Sequence, residues 1–272
     1  MTATVRGTAA AGLPEGIALR AFARHSGGAL SESAPLPLRP EEPFVLRWTI
    51  DGPDTPAAAI LDFGLAVEAP DGAEGEFLLE SVDYGGKVRL DLGDAFNPLR
   101  GVSPIDGWID GMDHLRGMFS DDTEPQLHLG SDVDPCCYVT GNRDWGDETL
   151  SCRFSVHAAD RAGVVLRWQG MRRHYAFLFE KGRALLVRQH YGETILAECP
   201  FAIPENRMFD LVARAEGGHL SLSLDGEMLL EADDDAFPTG GVGFYADRGL
   251  FGVAKVAIRA ELAKRAAVDT TL

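Results

Sequence analysis

Thiols are scarce in this chain of 272 residues: four cysteines, Cys136, Cys137, Cys152 and Cys199, with no C-x-x-C pair among them. They read as free thiols of a cytosolic protein, with a Cys152–Cys199 disulfide as the alternative. No run approaches the ~20 apolar residues that span a bilayer. No N-terminal stretch joins a basic region, an apolar core and a small-residue cleavage site. The expectation is a cytoplasmic protein. Positive charge is also short, 25 Lys+Arg against 42 Asp+Glu, for a net charge of −17. Such a field repels phosphate backbones and anionic lipid, which argues against nucleic-acid and membrane partners. Amphipathic helices are missing as well. The best helical candidate, Ile105–Phe119, carries three glycines and reads equally as a strand pair.

Catalytic signatures are absent too. The chain contains no G-x-S-x-G elbow, H-E-x-x-H helix, P-loop or dinucleotide fingerprint, so no catalytic residue is assigned. Paired carboxylates for glycoside hydrolysis are a spatial property; Glu180 and Glu198 are the strand carboxylates available for it.

What the chain does have is alternation. Residues 163–198 form four short runs of apolar and polar residues, broken by Gly170-Met171-Arg172, Lys181-Gly182 and Tyr191-Gly192-Glu193. Period two between glycine-bearing turns predicts an antiparallel meander. Val164, Leu166 and Trp168 share one face, and Val165, Arg167 and Gln169 the other. Tyr175, Phe177 and Phe179 likewise oppose His174, Ala176, Leu178 and Glu180. A sheet of this kind buries one face and opens the other.

Similar signals recur on both sides, giving an all-β fold of two β-sandwich or jelly-roll domains. Residues 1–13 read as a flexible tail and 14–90 as a small N-terminal sandwich. Residues 91–262 read as a second jelly roll that includes a junction over 91–130, and 263–272 as a tail. The prolines at 35–43 fit an edge crossing within the first sandwich. Trp145 is either a core plug or a ligand platform.

The segments Asp144-Trp145-Gly146-Asp147, Gly163–Gln169, Tyr175-Ala176-Phe177, Leu222–Glu227 and Gly240–Tyr245 resemble the laminin-G/concanavalin-A-like jelly roll of the 3-keto-disaccharide hydrolase type. The segments ALRAFARHSGGALSESAPLPLRPEEPFVLRWTIDG, GWIDGMD and TGNRDWGDETL resemble the β-rich C-terminal accessory region of bacterial ADP-ribosylglycohydrolase-family proteins. The chain lacks the helical hydrolase domain and the paired Asp-Asp motifs of that family. The resemblance therefore implies a non-catalytic accessory that binds a glycan or an ADP-ribose-like nucleotide sugar, beside a hydrolase. The alternatives are a hydrolase of 3-keto glycosides and a protein–protein interaction module.

Planar amide and guanidinium groups suit sugar hydroxyls, and tyrosine faces suit pyranose rings. The predicted ligand residues are Arg167, Gln169, His174, Tyr175, Arg188 and Tyr245, with Arg167 and Gln169 leaving the sheet on its open face. The competing reading makes the polar ones solvated or salt-bridged surface groups. No cofactor is expected. If calcium binds, Asp132 and Asp134 are the candidate ligands.

Overall fold

The computed structural model describes residues 1–25, 28–50, 60–93, 108–110, 112–115, 127–132 and 134–263. The chain divides into two units, Met1–Lys87 and Val88–Leu272. The described residues are all β: every regular element is a strand, and no helix is long and apolar enough to cross a membrane.

The first unit is a small antiparallel sandwich. β1 (Thr2–Ala9) lies between β5 (Pro43–Thr49) and β7 (Phe77–Gly85). β2 (Ala18–His25) pairs with β3 (Leu30–Glu32), β4 (Leu36–Pro37) and β6 (Ile60–Glu68). The expected N-terminal tail is instead a central strand. Ala3, Val5 and Ala9 alternate inward, and Val5 and Ala9 join Leu19, Ala21 and Leu46 in one core. Small and β-branched residues at every second position suffice for this, although the alternation is too weak in hydrophobicity to stand out.

The second unit is built on two very long strands, β13 (Trp145–Gly170) and β20 (Gly241–Leu262), which pair along most of their length. Around them run β8 (Lys87–Asp91), β9 (Trp108–Asp110), β10 (Asp113–Leu115), β11 (Leu127–Ser131) and β12 (Cys136–Thr140). The meander follows as β14 (Arg173–Glu180), β15 (Arg183–His190) and β16 (Glu193–Pro200), then β17 (Phe209–Glu216), β18 (His219–Leu224) and β19 (Glu227–Asp233). The first half of β13 pairs with β17 and its second half with β14. One strand thus serves both layers, with β-bulges along it absorbing the bend.

Aromatic rings bridge the layers: Phe154 lies 5.8 Å from Phe179, and Phe201 lies 6.4 Å from Phe209. Val164, Leu166, Tyr175, Phe177, Phe179 and Leu186 fill the side of the meander that faces the β17–β19 layer, where Leu211, Leu220 and Leu222 are also buried. The opposite side is buried too. Val165, Ala176, Leu178, Leu185 and Val187 pack with Cys137, Val139 and Tyr245, and Trp168 covers part of this cluster. The expectation of an open polar face over the centre of the meander is therefore corrected. All four cysteines are free, and burial pushes the Cys137 and Cys152 thiols well up. β20 runs to Leu262, and the expected tail beyond 263 lies outside the described residues, as does most of the expected junction.

Candidate functional site

Five of the six predicted ligand residues, all but Tyr245, gather at one end of the second unit. The turn between β13 and β14, the turn between β15 and β16, and the loop 234–240 between β19 and β20 meet there. The way each residue serves this end differs from the sequence expectation.

Arg167 is 1% exposed, and its backbone sits at φ +53° where the register skips between Val165 and Trp168. That bulge breaks the period-two alternation, so side chains beyond it change faces. Arg167 therefore enters the interior, and Trp168 emerges beside Val165 instead of Val164 and Leu166. The Arg167 backbone N–H donates to Glu148 Oε1 at 2.5 Å, and Nη2 donates to the carbonyls of Ala215 (3.2 Å) and Gly217 (3.4 Å) and to Asp147 Oδ1 (3.3 Å). Nη1 donates to the Pro238 carbonyl. Burial pushes the Glu148 carboxyl well above its usual range, against the Arg167 charge that pulls it down. Arg167 thus ties the start and end of β13 to two loops. It is a fold-closing group held away from solvent, which corrects its expected place on an open ligand face.

Tyr175 and Arg188 also serve the loop. The Tyr175 hydroxyl donates to Asp234 Oδ1 (2.5 Å) and accepts from the Phe237 N–H (3.1 Å), while Arg188 Nη1 donates to Asp234 Oδ2 (2.5 Å). Gln169 Nε2 donates to the Thr239 carbonyl at 2.7 Å. Gly240 presses on the bulge, because a Cβ there would lie 2.2 Å from the Arg167 carbonyl carbon. Tyr245 is buried in the Val165–Ala176–Val187 cluster, away from this loop's polar contacts. Trp145 is buried against Gly141, which is the core-plug alternative. Asp132 and Asp134 are exposed turn residues, and the described residues contain no group of three His, Cys, Asp or Glu able to hold a metal.

His174 stands apart. It is 1% exposed on the Ala176–Leu178 side of β14, and its Nδ1 lies 3.0 Å from the Gly170 carbonyl. A carbonyl only accepts, so Nδ1 carries the proton and Nε2 is left as a bare acceptor. Burial holds the imidazole below its usual pKa and keeps it neutral. Nε2 is buried without a partner, and so is the indole Nε1–H of Trp168. Both residues belong to the same stretch of the β13–β14 hairpin, between the Leu166–Tyr175 and Gly170–Arg173 pairs. Beside His174 in the register, Gln189 donates to Glu193 Oε2 (3.0 Å), which also receives Arg161 Nη1 (2.7 Å). One unsatisfied donor and one unsatisfied acceptor are the complement of a hydroxyl group.

The carboxylates considered for hydrolysis are engaged. Burial raises Glu180, but hydrogen bonds from Arg183 and the charge of Arg161 outweigh it and hold the group below its usual range. Glu198 pairs with Arg183 at 2.7 Å.

Sequence reasoning missed Trp168, Phe237, Asp234, Arg173, His190 and Tyr191 as parts of this end. The Met171-Arg172 and Tyr191-Gly192 turn signals marked the loops, yet nothing local indicated that the 234–240 loop would fold onto them.

No protein-family model matches the chain, and no curated protein does. Among solved structures it is similar to a carbohydrate-binding module from Bacillus subtilis, at 18% identity and TM-score 0.44, over 55% of this chain and 93% of that one. It is also similar to a Bacillus subtilis protein of unknown function with a galectin-like fold, at 14% identity and TM-score 0.47, over 66% of this chain and 100% of that one. A third is the exoplasmic/lumenal domain of VIP36 in a Ca2+/Man-bound form, at 15% identity and TM-score 0.46, over 66% of this chain and 93% of that one.

Proposed function

We propose that the second unit is a non-catalytic binding module for a saccharide, received at the Trp168–His174 end of the meander. The observation that carries this reading is the buried, unpartnered pair of Trp168 Nε1–H and His174 Nε2. Leaving such atoms unsatisfied costs about 1–3 kcal/mol each, which a ligand hydroxyl offsets by accepting from the indole and donating to the imidazole. The indole also supplies an apolar flank for a sugar ring. Engagement of Glu180 and Glu198 by arginines supports binding over hydrolysis, because a general acid needs a raised pKa. An accessory role beside a glycoside- or ADP-ribose-processing enzyme is the finer part of the proposal, and it rests on the sequence resemblance alone.

The test is a glycan and nucleotide-sugar binding screen of the whole chain, repeated with Trp168→Phe and His174→Phe. The expected result is a bound saccharide whose affinity falls about tenfold or more in either variant, as loss of one hydrogen bond at a buried group implies. Acidification should also weaken binding. The folded pKa of His174 lies below 6.5, so the acceptor is intact above that value and is lost as pH falls through the folded pKa. Saccharide binding that is unchanged in both variants would place the ligand elsewhere.

A further inference from the structure

The rim of this same end carries two arginines that no carboxylate among the described residues pairs with. Arg172 on the β13–β14 turn and Arg173 at the start of β14 make no ion pair among the described residues, although Arg161, Arg183 and Arg188 on neighbouring strands all do. In a chain of net charge −17, two adjacent arginines outside any ion pair among the described residues stand against the prevailing charge.

The turns are also built to hold these groups in place. The Tyr191 N–H donates to the Arg172 carbonyl at 3.0 Å and locks the two turns together. Arg173 lies over the Phe237 ring, its guanidinium carbon 5.2 Å from the centroid, and its Nη1 is 3.5 Å from His190 Nε2. The His190 ring meets Phe237 edge-on at 5.3 Å. The Phe237 ring and the bond from Nε to Gln169 Oε1 (3.3 Å) hold the Arg173 guanidinium, which has no carboxylate partner among the described residues. Tyr191 is 69% exposed and holds φ +56°, a conformation a tyrosine adopts at a cost of about 1–3 kcal/mol. A strained, exposed aromatic beside one stacked guanidinium, Arg173, and one exposed guanidinium, Arg172, neither in an ion pair among the described residues, is a platform for a ring that bears an anion.

We propose that this rim selects acidic saccharides: Tyr191 takes the face of the sugar, and Arg172 with Arg173 pairs the carboxylate of a uronate unit or a sulfate in its place. The inference rests on the saccharide-binding reading above and names its ligand class.

The test is calorimetric titration of the whole chain at low salt with three probes: an oligogalacturonate, its uncharged methyl ester and a sulfated chondroitin oligosaccharide. The expected result is that the galacturonate, the sulfated probe or both bind at least tenfold more tightly than the ester, with an affinity that falls as salt rises. Arg172→Gln, which alters an exposed side chain and spares the packing, should lose about tenfold for that acidic probe and leave the ester unchanged; Arg173→Gln should lose more. The two acidic probes tell whether carboxylate or sulfate is preferred. Equal affinity for ester and acid, or acid binding indifferent to both arginine variants, overturns the acidic selectivity while leaving saccharide binding in place. Acid binding that needs the arginines and ignores Trp168→Phe upholds the rim and overturns the Trp168–His174 reading. Failure of all three probes to bind overturns the acidic selectivity, and the glycan screen with Trp168→Phe and His174→Phe decides the saccharide reading separately.

Discussion

Arg167→Ala removes the cation beside the buried Glu148 carboxyl, which keeps only the backbone N–H of residue 167, and takes the guanidinium donors away from the carbonyls of Ala215, Gly217 and Pro238. Breaking a buried pair on one side costs about 3–5 kcal/mol, more than most single substitutions. Chemical denaturation should show a loss of that size, and a loss under 1 kcal/mol, on the order of a surface change, would contradict the account. Glu148→Gln keeps an acceptor for the Arg167 N–H and should cost less than Glu148→Ala. The residue types around Arg167 gave no sign of this role. Arginine, glutamate and a run of alternating residues are equally the composition of a solvated strand face, and what separates the two outcomes is one left-handed backbone step at position 167.

At the scale of the strand, the bulge that turns Arg167 inward also brings Trp168 out beside His174. The meander, its turns and the Tyr175–Phe177–Phe179 face were legible because period-two alternation survives wherever the ladder is regular. The lengths of β13 and β20 were not legible. Strands of 26 and 22 residues must bend between layers, and the sequence reads such strands as separate pieces split at their bends. Gly163 marks one close approach in this ribbon: a Cβ there would lie 1.9 Å from the Phe177 carbonyl oxygen. Gly163→Ala should destabilise the second unit by about 1–3 kcal/mol through overpacking. Thermal melting checks this, and an unchanged melting temperature would mean the strands are not this close. The site itself was half legible. Gln169, Tyr175 and Arg188 do meet at one end with His174, but the first three do so through Thr239 and Asp234, whose loop lies far away in sequence, while His174 bonds the nearby Gly170 carbonyl.

For the molecule as a whole, the 42 carboxylates set the response to acid. Arginine partners outweigh burial at Glu180, and hydrogen bonds from Arg259 and Arg89 act in the same direction at Asp91, so both groups lie below their ordinary values of 4.5 and 3.8. A depressed carboxylate contributes stability above its unfolded pKa and loses it as pH falls through the folded one. The melting temperature should therefore drop below about pH 4.5, and Glu180→Gln should flatten part of that drop. A variant with the same acid limb as the parent would show that the Arg161–Glu180–Arg183 cluster contributes nothing.

The central claim is that Trp168 Nε1–H and His174 Nε2 await a hydroxyl, and nitrogen-resolved NMR of the whole chain addresses these two atoms directly. Before ligand, His174 should show a neutral ring protonated at Nδ1. Titration with the saccharide that the screen identifies should shift both the Trp168 indole resonance and the His174 Nε2 resonance, with the same saturation point. A His174 ring protonated at Nε2, or saturation of binding with both resonances unmoved, would contradict the account.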